Sequence, residues 1–346
     1  MVDMQKHFTN FHDEIKLDYE DNSLLRDYRD QVISGLEDHL DIDHSFSHFL
    51  QGSYAMHTGI KSIDENIDFD IDIALSIDMK REDCINPVTA KKWVKEAMEK
   101  EFPSAEIKIK KPCVTISFAG DSNDENVHVD IAIYANEDGN YFLAKGKEFS
   151  SSENRYWEEA DPKELKNKIT NSYDGVDDRK QFRRCIRYLK RWKDEKFNQE
   201  NRPNGIGITV SALENFYPYS VTDAFSGKKT YNDLDALENF VKNMLNSFAE
   251  TYNFEEDTWY SRLKVYLPVK PRTDIYEQMT DKQMNDFKDK LKNLSEDLEY
   301  AKNTLDEHEA TKRMNKHFGD DFIIVSEEDV VSKAERNAFV SDYPSA

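Results

Sequence analysis

The sequence predicts an α/β (α+β) protein in which a mixed sheet fills the first part of the chain and helices the second. Two segments, at 67–77 and 127–134, strictly alternate apolar and polar residues, as strands with one buried face do. After about residue 160 the apolar residues recur at helical spacing instead. We therefore expect an N-terminal helix and a sheet lobe over residues 1–160, a helical lobe over 161–325, and a flexible polar tail over 326–346.

The composition is that of a soluble globular protein. The 346 residues are 38% hydrophobic and 34% charged, and no stretch approaches the roughly 20 apolar residues that cross a bilayer. We expect no membrane contact. The three cysteines are widely spaced and form no CxxC pair, so they predict reduced thiols in a cytoplasmic protein, with neither disulfides nor a zinc site.

The net charge of −22 bears on the partners of the protein. Proteins that bind long nucleic acids usually present a basic surface, so this acidity argues against binding of duplex nucleic acid. The acidity does not exclude nucleotides as ligands, because a phosphate site needs only a few local cations. Solubility is the simplest explanation of the acidity itself.

The elements follow in order along the chain. Helical periodicity covers residues 9–40, and a short apolar run then ends at Gly52 and Ser53. The strand at 67–77 comes next, before a helix at 88–102 and strands at 105–110, 114–118 and 127–134. The second half predicts helices at 178–197, 207–217, 232–252 and, as one or two helices, 272–317.

The two alternating strands carry the candidate chemistry. Asp70 and Asp72 lie two residues apart and therefore project from the same face of their strand. Adjacent carboxylates repel each other unless a cation lies between them, and magnesium is bound by one or two carboxylates together with substrate phosphates. Asp130, on the other alternating strand, would complete a site for two metal ions. Asp68 shares the face of Asp70 and Asp72, so the acidic pair is either 68/70 or 70/72, and we prefer 70/72.

Simpler explanations exist for each part of this pattern. A lone acidic pair on a strand is more often an exposed polar face. An EF-hand loop is excluded because Ile73 and Met79 occupy the positions of its glycine and its last glutamate. The order of the parts is more specific: Gly52 and Ser53, which suit a phosphate-binding turn, precede the acidic pair, and a third acid follows on a separate strand.

In this order the residues resemble a known family. The run GSYAMHTGIKSIDENIDFDIDIAL is similar to the motif of polymerase-beta-type nucleotidyltransferases, and HVDIAIY is similar to their third-acid strand. Within that superfamily the chain resembles the bacterial cGAS/DncV-like nucleotidyltransferases (CD-NTases) of CBASS anti-phage systems, over most of residues 9–322. The resemblance implies a nucleotidyltransferase palm, a helical lobe and an active site in the cleft between them.

The resemblance also implies the roles of particular residues. Asp70, Asp72 and Asp130 would be catalytic and would bind Mg²⁺ or Mn²⁺, and Gln51, Gly52 and Ser53 would contact the nucleotide. The basic segment 179–196 carries nine Lys or Arg against two acids. A solvated helix face would explain this excess, but related enzymes hold the donor triphosphate with a cation here, which suggests Arg187 and Lys190. A serine that follows in relatives is missing, and Gly207 or Thr209 would have to replace it.

The implied function is synthesis of a cyclic di- or trinucleotide from ATP and GTP or other NTPs, with release of pyrophosphate. The product would activate an effector, and activating or conjugating proteins would be further partners. Transfer of a nucleotide to RNA, a protein or a small molecule is the first alternative, against which the acidity and the length of the chain argue. A non-catalytic nucleotide sensor is the second, and the presence of all three acids argues against it.

Overall fold

A computed structural model describes residues 2–17, 23–63, 69–118 and 127–330, which form two compact units. The sheet unit consists of residues 17–172 and 266–274, and the helical unit of 2–16, 173–265 and 275–330. The sheet unit extends to residue 172, whereas the sequence analysis expected a boundary at residue 160. The first helix, which was expected with the sheet lobe, belongs to the helical unit. Within the described residues, no helix combines the length and apolar character needed to span a membrane.

The sheet unit is built on seven strands within the described ranges. Five of them run in the order β1-β2-β5-β4-β3, and β6 and β7 extend the sheet from β5. The strands are β1 (Phe46–Leu50), β2 (Phe69–Ile77), β3 (Glu106–Ile109), β4 (Val114–Phe118), β5 (Val127–Glu137), β6 (Asn140–Lys145) and β7 (Tyr156–Ala160). The pairing of β2 with β5 is parallel and the other pairings are antiparallel, so the sheet is mixed as predicted.

One face of this sheet is the core of the unit. The apolar residues of β2 at positions 71, 73, 75 and 77, and those of β5 at positions 127, 129, 131 and 133, are fully buried, as period-two patterning requires. They pack against α2 (Ser23–His39) and α4 (Pro87–Glu101). Helix α4 starts where the side chain of Asn86 accepts a hydrogen bond from the Val88 N–H. Because the core covers this face, the acidic residues lie on the opposite one.

The remaining elements of the sheet unit are short. Helix α3 (Gly52–Ala55) is a single turn directly after β1, and α5 (Pro162–Thr170) follows β7. The side chain of Lys91 on α4 is buried and donates to the carbonyls of Lys110, Lys111 and Gly146 at 3.0, 2.6 and 3.0 Å. These three bonds fasten the β3–β4 turn to the segment that follows β6.

The helical unit surrounds α6 (Val176–Lys196), whose apolar stripe is buried. Around it lie α1 (Gln5–Ile15), α7 (Gly205–Asn215), α8 (Asp233–Asn246), α9 (Asp281–Asn303) and α10 (Glu307–Phe318). Two hairpins complete the unit: β8 (Ser220–Thr222) with β9 (Lys229–Tyr231), and β10 (Phe248–Asn253) with β11 (Thr258–Leu263). Aromatic rings of α1, α6 and α10 pack together, among them Phe8, Tyr188 and Phe318.

Three helix predictions were wrong in their extent. The periodicity at 9–40 belongs to two helices, α1 and α2, and Lys16 between them is extended. The helix expected at 232–252 ends at Asn246, because the residues from Phe248 onward pair with β11. The region 272–317 contains two helices, the first of which begins only at Asp281, where Thr280 and Gln283 form a capping box. The described part of the tail begins with helical residues at 327–330.

Candidate active site

The strand register places the predicted acids together. In the parallel pairing of β2 with β5, Asp72 lies directly opposite Asp130, and Asp70 lies opposite His128. Paired residues of a parallel ladder project from the same face, so the three acids and His128 share one face of the sheet. Asp70 is exposed, whereas Asp72 and Asp130 are half-buried. Asp68, and with it the alternative 68/70 pair, lies outside the described residues.

The Gly52 turn is bound to the acidic strand. The Gln51 N–H donates to the carbonyl of Asp72 at 3.1 Å. Gly52 has φ of +66°, and a Cβ placed on it would lie 1.9 Å from Oδ2 of Asp72. The backbone and the carboxylate can approach this closely only because the residue is glycine. The turn therefore borders the carboxylate that the sequence analysis assigned to a metal.

The side chain of Gln51 is held from the neighbouring strand. The hydroxyl of Tyr134 on β5 donates to its Oε1 at 2.9 Å. Burial and, to a smaller extent, the charge of Asp72 raise the pKa of Tyr134, so the hydroxyl keeps its proton and remains a donor. Ser53 is half-buried, and its carbonyl accepts from the Thr58 N–H at 3.0 Å. Thr58 itself is fully buried.

Asp130 has two neighbours that the sequence analysis did not identify. The hydroxyl of Thr115 on β4 donates to Oδ1 of Asp130 at 2.5 Å, and Nζ of Lys110 lies 4.0 Å from the same oxygen. Next to Thr115, burial and the nearby charge of Asp130 raise the pKa of the Cys113 thiol to about 12. The alternation of Thr115 and Ser117 with apolar residues in the β4 segment was the signal that could have identified the polar face of that strand.

The donor set on this face suits a hard divalent cation. Carboxylate oxygens on two adjacent strands are ligands that Mg²⁺ and Mn²⁺ accept. Within the described ranges, no three His, Cys, Asp or Glu side chains lie close enough together to hold a metal ion by themselves. Magnesium at nucleotide sites takes part of its coordination from substrate phosphates and waters, so a face with two opposed carboxylates fits that kind of binding.

The two predicted cations lie on α6 in the helical unit. The guanidinium of Arg187 donates to Nε2 of His12 at 3.0 Å, and burial followed by the charge of Arg187 lowers the pKa of His12 to about 4. His12 is therefore neutral near pH 7, as an acceptor must be. Lys190 is buried, with its Cε 3.6 Å from where a Cβ of Gly205 would lie, at the start of α7.

The proposed replacements for the missing serine are engaged elsewhere. The N–H of Gly207 donates to the side chain of Asn204, which caps α7, at 2.9 Å. The hydroxyl of Thr209 donates to the carbonyl of Gly205 at 3.0 Å. A Cβ on Gly207 would lie 2.4 Å from the ring of Tyr276, so close packing explains this glycine.

A neighbouring arginine of α6, which the sequence analysis did not single out, forms an internal ion pair. Arg184 makes two hydrogen bonds to the fully buried carboxylate of Asp233, at 2.6 and 2.7 Å. Gln181 donates to the same carboxylate at 3.1 Å, and the Tyr188 hydroxyl lies 2.9 Å from it. Despite desolvation, which acts in the opposite direction, the bonds from Arg184 keep the pKa of Asp233 below its usual range. Arg184 thus serves the internal packing of the helical unit, in contrast to the two candidate ligands on the same helix.

Comparison with known proteins identifies the class of the acidic site. Residues 47–134 match the family model described as the nucleotidyltransferase domain of DncV-like cyclic GMP-AMP synthases. The matched stretch includes the Gly52 turn and all three acids. A cyclic GMP-AMP synthase of Escherichia albertii is 32% identical over 186 residues, which span 51% of this chain and 38% of the length of that relative.

Solved structures show the same fold. The cyclic AMP-GMP synthase DncV of Vibrio cholerae superposes with a TM-score of 0.66 at 15% identity, covering 95% of this chain and 99% of that chain. CdnC of E. coli, solved with ATP, gives a TM-score of 0.64 at 21% identity, covering 93% and 99%. The GTP-bound form of DncV gives 0.68 at 16% identity, covering 94% and 97%. The predicted fold class is confirmed.

Proposed function

We propose that this protein is a cyclic oligonucleotide synthase, which joins NTPs into a cyclic di- or trinucleotide and releases pyrophosphate. The observation that carries the proposal is the position of Asp72 opposite Asp130, with the Gly52 turn against the Asp72 carboxylate, inside a DncV-like nucleotidyltransferase domain. This face combines the parts that nucleotidyl transfer needs: acids for divalent cations and a close backbone turn for a phosphate.

The residues of the sheet unit have the following roles in the proposed reaction. Asp70, Asp72 and Asp130 hold Mg²⁺ or Mn²⁺, which when bound would neutralise charge on the phosphates and lower the pKa of the attacking hydroxyl. Gln51, Gly52 and Ser53 orient the donor triphosphate beside Asp72. The ribose hydroxyl oxygen forms a bond to the α-phosphorus as the bond to pyrophosphate breaks, and the hydroxyl proton leaves to solvent or to a nearby base.

Arg187 and Lys190 are proposed as contacts of the donor triphosphate. Both are half-buried or buried on α6, where their charges are less screened than on an open surface. The guanidinium of Arg187 donates to neutral His12, which adds no opposing charge.

The substrates are proposed from the relatives. DncV was solved with GTP and with a linear intermediate that joins A and G, and CdnC was solved with ATP. We accordingly propose ATP and GTP as the first NTPs to test. The proposal extends to a cytoplasmic role in CBASS anti-phage defence, in which the product activates an effector and other proteins activate or conjugate the synthase.

The test is incubation with all four radiolabelled NTPs and Mg²⁺ or Mn²⁺, followed by phosphatase treatment and mass spectrometry. We expect a phosphatase-resistant cyclic product from the wild type and none from Asp70→Ala/Asp72→Ala. Glu96→Gln is the control, because it removes an exposed acid from helix α4, which packs on the core face of the sheet, opposite the acidic face. Equal product from the wild type and the double variant would overturn the metal site, and linear products alone would overturn the cyclisation.

A further inference from the structure

Strand β4 supplies a hydroxyl to each of the two polar residues of β5 that lie opposite it on the acidic face, His128 and Asp130. In the antiparallel pairing of these strands, Thr115 lies opposite Asp130 and Ser117 opposite His128. The Thr115 hydroxyl bonds Oδ1 of Asp130 at 2.5 Å, and the Ser117 hydroxyl lies 3.0 Å from Nδ1 of His128. The polar side chains therefore form two rows across β2, β5 and β4, one with Asp72, Asp130 and Thr115, and one with Asp70, His128 and Ser117.

The direction of the Thr115 bond is fixed by chemistry. Near pH 7 a carboxylate beside a cation site is an acceptor only, so the hydroxyl of Thr115 donates to it. Thr115 is only 2% exposed, and Sγ of Cys113 lies 3.6 Å from its hydroxyl oxygen. A buried hydroxyl that is backed by a second side chain has little freedom to rotate away. The Asp130 carboxylate is consequently held in one orientation.

Thr115 and Lys110 both approach the same oxygen of Asp130, Oδ1. The thiol of Cys113 also interacts with this carboxylate. We propose that Thr115 is a positioning residue for the metal centre: by donating to Oδ1, it holds the Asp130 carboxylate in the orientation in which Asp130 would bind a divalent cation. This inference rests on the proposed function and adds a residue that the acid motif does not contain.

The expected size of the effect follows from metal sites in general. Hydrogen bonds that orient a ligating side chain change metal affinity by about 10- to 100-fold when they are removed. Thr115→Val removes the hydroxyl and keeps the shape, whereas Thr115→Ser keeps the hydroxyl. Ser117→Ala is the matched control, because it removes a hydroxyl from the same face of the same strand, one row away from Asp130.

The experiment measures Mn²⁺ binding by electron paramagnetic resonance in the presence of a non-hydrolysable ATP analogue. We expect Thr115→Val to weaken Mn²⁺ binding about 10-fold or more, Thr115→Ser to stay within about threefold of the wild type, and Ser117→Ala to match it. In turnover, the loss should appear in the half-saturating Mn²⁺ concentration, with the KM for ATP at saturating Mn²⁺ little changed. Circular dichroism checks folding, and Thr115→Ala replaces Thr115→Val if the latter does not fold.

Several outcomes would overturn the inference. Wild-type Mn²⁺ affinity in Thr115→Val would show that the hydroxyl does not position Asp130, and equal losses in Thr115→Val and Thr115→Ser would assign the effect to packing. A wild type that binds no Mn²⁺ with the analogue would overturn the inference together with the metal site. A wild type that binds Mn²⁺ but makes no cyclic product would overturn the proposed function alone, because the binding series still decides the role of Thr115.

Discussion

The carboxylate of Asp72 lies against the backbone of Gly52, and the contact leaves no room for a side chain on residue 52. A Cβ there would lie 1.9 Å from Oδ2 and 2.5 Å from Cγ of Asp72. Since the Gln51 N–H also bonds the carbonyl of Asp72, the turn and the acidic strand form one rigid corner. A phosphate held by this turn would therefore lie beside the cation held by the acid.

Gly52→Ala tests this corner. The left-handed φ alone costs about 1 to 2 kcal/mol with a Cβ, and the clash must also displace the Asp72 carboxylate. We expect nucleotidyl transfer to fall by about 100-fold or more, an effect comparable to the loss of a transition-state contact. Gly227→Ala is the matched control, because its φ is +68° and no described atom lies within 4 Å of the added Cβ. Equal activity in the two variants would show that the contact with Asp72 is unimportant.

Single substitutions distinguish the two candidate acidic pairs. If Asp70 and Asp72 are the ligands, Asp70→Asn and Asp72→Asn should each reduce activity by about 100-fold or more, whereas Asp68→Asn should stay near the wild type. The reason is the register, which places Asp72 opposite Asp130. Initial rates in Mg²⁺ and Mn²⁺ provide the measurement. A severe loss in Asp68→Asn with an active Asp72→Asn would move the metal site to the 68/70 pair.

Tyr134→Phe tests the support of Gln51. The substitution leaves Oε1 of Gln51 without its donor from a buried hydroxyl, so we expect the free energy of unfolding to fall by about 1 to 3 kcal/mol in urea titrations. The turnover number should fall as well, since Gln51 precedes the Gly52 turn. Tyr141→Phe is the control, because no hydrogen bond of its hydroxyl is present among the described residues. A larger loss of stability in Tyr141→Phe would contradict this assignment.

The lowered pKa of His12 predicts that the free energy of unfolding depends on pH. Its pKa falls from 6.5 to about 4 on folding, so between these values the unfolded chain binds more protons than the folded protein. The stabilisation is fully present above pH 6.5 and is lost as the pH falls toward 4. The full shift corresponds to at most about 3 kcal/mol. His12→Gln retains an acceptor for Arg187 and removes the titration, so its unfolding free energy should fall less steeply from pH 6.5 to 4. Parallel curves for the two proteins would exclude this role.

Many of the strands and helices could be predicted from local patterns in the sequence. Strict alternation in β2 and β5 predicted both strands and placed Asp70 and Asp72 on one face, because the period of a strand is a property of its own residues. The predicted helices at 88–102, 178–197 and 207–217 correspond to α4, α6 and α7 within a few residues. Where the polar turn was weakly marked, as before β10, helical spacing continued into residues that pair as a hairpin instead.

Only the tertiary structure decided how these segments meet. The parallel pairing that sets Asp72 opposite Asp130, and the contact of Asp72 with Gly52, join residues that are distant in sequence. The donation from Thr115 to Asp130 depends on which strand lies beside β5 and in which register. Periodicity fixes the face of a side chain but not its neighbour across the sheet, because strand pairing is settled by the packing of the whole core.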